Sequence, residues 1–302
     1  MGTGLAVHDP LTPSPGATIE EVKMLQEKYV LNNGMEIPKI GFGTLMLPEE
    51  RVTELIKDAI DSGYRLIDTA VAYANEQRIG TAINEAKIHR DELFITTKVP
   101  PMVKAHDEVL RVIGQSLDSL RTDYIDMLLI HGPNPDPFTQ SENKYYKENL
   151  ECWKAMEEAV EKGYVKSIGV SNFTPNDIRN ILENGTIKPV VNQIRVHVGD
   201  VPEETILYCR KNDILVEAYS PLGSGRLSEN ERIRKTAGQY GVSVQQLLIR
   251  FDIQLGTLPI PRSTSKKHMI SNADVDFVIR EEDMAELQAM KLEHVEAAVK
   301  PE

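Results

Sequence analysis

Only two cysteines occur in the 302 residues, Cys152 and Cys209. They form no CxxC pair and no disulfide framework, which excludes a disulfide-stapled scaffold and fits a reducing compartment. No apolar run approaches the roughly 18 residues of a membrane span. Residues 1–25, rich in Pro, Gly and Thr, lack the basic start and apolar block of a secretory leader. The expectation is a loosely ordered extension over 1–25, one domain over 26–302, and a cytoplasmic location. Basic charge is also short: 34 Lys and Arg stand against 46 Asp and Glu, a net charge of −12. That balance argues against a nucleic-acid or anionic-membrane partner. Finally, no strand-like run leads into GxGxxG. Gly41 and Gly43 come near, but Met46 stands where the third glycine belongs, so the dinucleotide phosphate turn is missing.

What is present alternates. Apolar or β-branched runs occur at 40–44, 64–68, 93–98, 124–131, 164–170, 190–194, 214–219 and 257–260. Several are apolar almost throughout, as strands covered on both faces are. Helical stripes lie between them: Val52, Leu55, Ile56, Ala59 and Ile60 in 50–62, and Leu110, Ile113, Leu117 and Leu120 in 107–120. The stretches 150–161 and 203–211 read the same way. Eight strands with intervening helices predict an α/β fold, a (β/α)8 TIM barrel, over a doubly wound sheet. An N-terminal β-hairpin, KYVLNNGMEIPKI, carries Asn33-Gly34, a two-residue turn signal, and is expected to cap the barrel floor. Two polar stretches, 132–147 and 220–230, are expected to overhang the other end.

In a parallel barrel the strand C-termini share one face, which holds the site. Asp68 ends the second strand, Lys98 the third and His131 the fourth, with Tyr73 just after the second. In LIDTAVAYANE (66–76) the apolar run ending Leu66-Ile67 closes on Asp68; such an ionised carboxylate needs a partner, and Lys98 supplies one. A phenol is a weak acid near pH 7, with a pKa of about 10. An ammonium roughly 4 Å away, at an effective dielectric of about 20, favours phenolate by about 4 kcal/mol. Asp68 keeps that ammonium charged while partly cancelling its field. The set suits protonation of a carbonyl oxygen, with His131 orienting the substrate. Taken singly, the four residues read more simply: Asp68 as a helix cap, Lys98 as a strand end reaching for solvent, Tyr73 as packing, His131 as a turn residue. Their convergence favours the functional reading.

The motifs GFGT (41–44), IDTAVAYANEQRIG (67–80), LFITTK (93–98), DMLLIHGP (126–133), IGVSNF (168–173), VVNQI (190–194), VEAYSPLG (216–223) and PIPRSTS (259–265) resemble those of aldo-keto reductases over about residues 28–293. The resemblance implies reduction of a small aldehyde or ketone by NADPH, with NADH possible, in a monomer or weak dimer. It casts Tyr73 as general acid, supported by Asp68, Lys98 and His131. It places Gly43, Thr44, Ser171, Asn172, Gln193, Tyr219, Ser220 and Leu222 around the nicotinamide and pyrophosphate, with the Tyr219 ring stacked on the nicotinamide. Arg262, Ser263, Ser265, His268 and Asn272 fall at the adenosine end. Bacterial diketogluconate-reductase-like members resemble the chain more than mammalian ones do.

Several positions depart from the family pattern. Arginine is usual where His268 stands, and a neutral histidine weakens the preference for a 2′-phosphate. Glutamate is usual at Ser271. The tryptophans usual at Leu45 and Gly132 are missing, which predicts a wider, less aromatic pocket, and one with cationic character where Arg195 reaches it. Rival readings are a Schiff-base aldolase acting through Lys98, a metal-dependent hydrolase built on Asp68, His131 and His197, and a non-catalytic cofactor-binding regulatory module.

Overall fold

The apolar runs become strands and the amphipathic stripes become the helices that cover them. A computed structural model describes residues 22–135 and 145–291. It opens with a hairpin, β1 (Lys28–Val30) and β2 (Glu36–Pro38), and continues with β3 (Phe42–Gly43) and helix α1 (Val52–Asp61). Next come β4 (Leu66–Asp68), α2 (Glu76–Glu85), β5 (Phe94–Val99), α3 (His106–Leu120) and β6 (Ile125–Ile130). Then follow α4 (Tyr146–Glu161), β7 (Val165–Ser171), α5 (Pro175–Asn184), β8 (Val191–Arg195), α6 (Glu203–Lys211) and β9 (Leu215–Tyr219). The chain ends with α7 (Glu231–Tyr240), α8 (Val244–Gln254), β10 (Leu258–Pro259), α9 (Lys266–Ala273) and α10 (Glu281–Ala289).

Strands β3 to β10 pair in chain order, all parallel. The ring closes where the Gly41 and Gly43 amides donate to the Pro259 and Pro261 carbonyls at 3.0 and 3.1 Å. A Cβ on Gly43 would lie 2.8 Å from the Ile260 carbonyl oxygen, so glycine is what lets the first and last strands meet. The fold is a (β/α)8 barrel. All six residues of β5 and of β6 are buried, Thr96, Thr97, Lys98 and Asp126 among them, as strands covered on both faces should be.

The hairpin seals the floor. Leu31 and Ile37 pack with Leu66, Phe94, Val191 and Leu258 at the strand starts. Its turn differs from the two-residue expectation. Leu31 N–H donates to Met35 O at 2.8 Å across a three-residue loop, and Gly34 takes φ +85°. A type I turn followed by a left-handed glycine fits that loop better than Asn-Gly alone.

Two other boundaries move. Val22, Met24 and Leu25, assigned to the extension, are buried in the main core; residues 1–21 lie outside the described residues. In α3 the buried stripe is Val109, Val112, Ile113, Ser116 and Leu120, while Leu110 and Leu117 are only partly covered. The helix turns toward both flanking helices as well as the sheet, which a single-face stripe does not anticipate. Of the stretch expected over the mouth at 132–147, residues 136–144 lie outside the described ones. The 220–230 stretch folds as a 3-10 helix over Gly223–Glu229.

Candidate active site

At the C-terminal end of the barrel, Lys98 is the organising group. Its side chain is wholly buried, and its ammonium donates to both Asp68 carboxylate oxygens at 2.7 Å and to Thr69 O at 2.9 Å. The Tyr73 hydroxyl lies 3.5 Å away. Register explains the pairing: β4 and β5 are adjacent, with Asp68 opposite Thr96. Asp68 therefore answers to Lys98 rather than capping a helix.

Tyr73 is carried on a short 3-10 turn, Val71–Tyr73, stopped by Ala74 at φ +53°. Left-handed backbone at a residue with a side chain is strained, and Met46, Asn172 and Ser220 share it at other strand ends of the same face. The turn is fixed from below. Thr44 N–H donates to Asp68 O, and Asn75 links Thr69 Oγ1, at 2.6 Å, to the Thr44 carbonyl, at 3.1 Å. The His131 ring meets the Tyr73 ring edge to face, with centroids 5.7 Å apart. Asp68, Tyr73, Lys98 and His131 thus converge at one place.

The electrostatics correct one expectation. Tyr73 is held above its ordinary pKa of 10, because burial outweighs the pull of Lys98 and Asp68 opposes that pull. Burial of the phenol disfavours its charged form by more than the nearby ammonium favours it. Burial alone would push Lys98 down, but the Asp68 carboxylate, with Tyr73, reverses this and raises it. His131 is pushed down to about 4 by burial and by the charge of Lys98. At neutral pH the site therefore holds one ammonium, a neutral imidazole and a protonated phenol.

Gln193 extends the network, donating from Nε2 to Asp68 Oδ2 at 2.8 Å. Glu217, opposite Gln193 in β9, was not anticipated. It is fully buried, and its pKa is raised to about 8 by burial and by Asp68, against the Lys98 charge and the neighbouring Gln193 amide, which pull it down. An acid inside the apolar run ILVEAY was its visible signal, masked because it does not end the strand.

The remaining candidates line the same face. Ser171 Oγ donates to Gln193 O at 2.9 Å. Asn172 donates to Ser171 Oγ at 3.1 Å and to His131 O at 3.2 Å, and accepts from Tyr219 OH at 3.0 Å. It does not cap the next helix; Thr174 does, accepting from Asp177 N. Ser220 and Leu222 lead into the 3-10 helix, with Leu222 packed on the core. Arg262 is exposed and donates to Met46 O, tying the loop after β10 to that after β3. Ser263 accepts from Ser265 N at 3.1 Å at the start of α9. His268 is exposed in that helix's first turn and Asn272 is buried. Lys266 beside them, which the sequence reading passed over, approaches Asp58 and Asp61 at 3.5 and 3.4 Å. Arg195 does not give the mouth a free cation, since it pairs with Asp200 at 2.6 Å. Leu45, Met46 and Met102 are exposed apolar groups. Among the described residues no three His, Cys, Asp or Glu side chains converge on a metal position. No helix among them is long and apolar enough to cross a membrane.

The sequence profile described as the aldo/keto reductase family matches residues 39–291. The chain belongs to that family. This aldo/keto reductase is 37% identical over 268 residues to a protein named glyoxal reductase from Bacillus subtilis, covering 88% of this chain and 93% of that one. A crystal structure of an aldo/keto reductase from Brucella melitensis superposes with a TM-score of 0.81 at 35% identity, covering 87% of this chain and 97% of that one. A Bombyx mori aldo-keto reductase in complex with NADP superposes with a TM-score of 0.79 at 35% identity, covering 87% and 92%.

Proposed function

We infer that this protein reduces a small aldehyde or ketone to the alcohol, with NADPH as the hydride donor and Tyr73 as the general acid. The observation that carries the reading is the buried Asp68–Lys98 pair aimed at the Tyr73 hydroxyl, 3.5 Å from the ammonium, beside a neutral His131. The bound dinucleotide would supply hydride to the carbonyl carbon. Asn172, Gln193 and Tyr219 would hold its nicotinamide, and Arg262, Ser263, Ser265, His268 and Asn272 its adenosine end. The donor set suits such a ligand: amides and a phenol ring beside the acid, then hydroxyls and cations at the start of α9.

The protein side of the reaction follows from the charges. Tyr73 is protonated at neutral pH and can give its proton to the carbonyl oxygen as negative charge grows there. The phenolate left behind is stabilised by Lys98, whose charge is already in place and needs no rearrangement. A neutral His131 can hydrogen-bond the substrate oxygen and so orient it. Solvent then restores the phenol. With leucine at 45 and glycine at 132 where tryptophan is usual, the pocket would be wide and less aromatic and would admit small carbonyls, dicarbonyls included; a Bacillus subtilis relative is named glyoxal reductase.

The aldolase reading requires an unprotonated Lys98 as nucleophile. Its raised pKa opposes this. The test is consumption of NADPH, followed at 340 nm, with a panel of aldehydes, diketones and keto acids. Substrate-dependent oxidation is expected. No turnover on any of them, together with borohydride trapping of substrate on Lys98, would replace the reading with the aldolase.

A further inference from the structure

A second buried lysine lies just outside the tetrad. Lys104, in the loop between β5 and α3, donates from Nζ to Gly132 O at 3.0 Å and to Asn149 Oδ1 at 2.6 Å. Both acceptors are neutral, and no carboxylate among the described residues pairs with the ammonium. Burial pushes its pKa down to about 8, only partly opposed by Cys152, Glu148 and Asp177. A cation buried without a counter-ion is costly to keep, so what it holds matters.

It holds the residue next to His131. The His131 ring has a buried Nδ1 with no hydrogen-bond partner, so no bond at that nitrogen fixes its direction. Its aim depends instead on contact with Tyr73 and on the backbone that carries it. That backbone is tied at three points: His131 N–H to Val99 O at 3.1 Å, His131 O to Asn172 Nδ2, and Gly132 O to Lys104. The third tie also reaches Asn149 in the first turn of α4, which returns the chain to the barrel wall. We propose that Lys104 is a positioning residue for carbonyl reduction, fixing the Gly132 peptide so that the His131 imidazole points at the substrate oxygen. This rests on the reading of His131 given above.

The test is a double-mutant cycle between Lys104→Met and His131→Ala. In the parent, Lys104→Met should lower kcat about tenfold, as a small misplacement of an orienting group does. It should raise KM for the carbonyl and leave the Kd for NADPH unchanged. In the His131→Ala background it should change kcat less than about twofold, because the group it positions is gone. Equal losses in both backgrounds would overturn the proposal, showing a general structural role. An unchanged kcat in His131→Ala alone would instead overturn the role of His131, and the proposal with it. If Lys104→Met does not fold, Asn149→Leu, which removes one acceptor, enters the same cycle. A loss of about threefold is then expected in the parent background only, and an equal loss in both refutes the inference.

Discussion

Replacing Asp68 with Asn removes one charge and almost no volume, which isolates the electrostatic role of the pair. Lys98 is wholly buried and its ammonium lies 2.7 Å from both Asp68 oxygens. At that distance, with an effective dielectric of about 20, the gross attraction is about 6 kcal/mol. An asparagine oxygen replaces part of it as a neutral acceptor. Thr69 O remains, and Glu217, held up to about 8 partly by Asp68, loses that opposition in the variant and can supply part of the missing countercharge, which sets the loss below the full attraction. Leaving a buried charge unpaired costs roughly 3–5 kcal/mol, a fall in Tm on the order of 10 °C for a chain of this size. Lys98 can limit that loss by shedding its proton, since burial is then opposed only by Tyr73 and Glu217, but a neutral amine no longer stabilises a Tyr73 phenolate. We therefore expect kcat to fall by roughly 10²–10³. Thermal unfolding and NADPH consumption, both followed across pH, measure the two effects. A variant within about 1 °C and twofold of the parent would show that Asp68 does not hold Lys98 charged.

Three further outcomes follow from the same charges. His131 ionises at about 4 in the folded protein and near 6.5 when unfolded. The folded state thus binds fewer protons between those values; the stability gained is complete above pH 6.5 and lost as pH falls through 4, about 3 kcal/mol in all. His131→Gln should flatten that acid limb in Tm against pH, and an unaltered limb would refute the shift. Glu217 has the opposite sign. Raised to about 8, it favours the fold below its unfolded value and withdraws that support as pH climbs through 8. Glu217→Gln should therefore raise Tm relative to the parent at pH 8 more than at pH 5, and an equal change at both would contradict this. His268→Arg, in the first turn of α9, should tighten NADPH relative to NADH by about tenfold; an unchanged ratio of Kd values would remove that position from phosphate reading.

Much of this was legible in the chain because parallel barrel strands are buried on both faces and so appear as runs that are mostly apolar or β-branched. Asp68 and Lys98 stood out as charges closing such runs, and a shared barrel face brought them together with Tyr73 and His131. The sign of the Tyr73 shift was not legible, because it depends on how deeply the phenol sits and how closely Asp68 cancels Lys98. Glu217 was missed because it lies inside its strand rather than at the end. Lys104 looked like any loop lysine, since only the packing of α4 and the Gly132 peptide around it removes it from water. The buried face of α3 went astray for a related reason, being settled by neighbours distant in sequence, whereas the hairpin loop is one residue longer than Asn-Gly alone signals.

The proposed reduction stands on the Tyr73 hydroxyl giving its proton to the carbonyl oxygen. Tyr73→Phe deletes that one oxygen, and the decisive measurement is its kcat with a carbonyl substrate beside its Kd for NADPH. A positioned general acid contributes typically 10²–10⁴, so kcat should fall at least a hundredfold while the Kd stays the same. Turnover at the parent rate with phenylalanine at position 73 would contradict the mechanism outright.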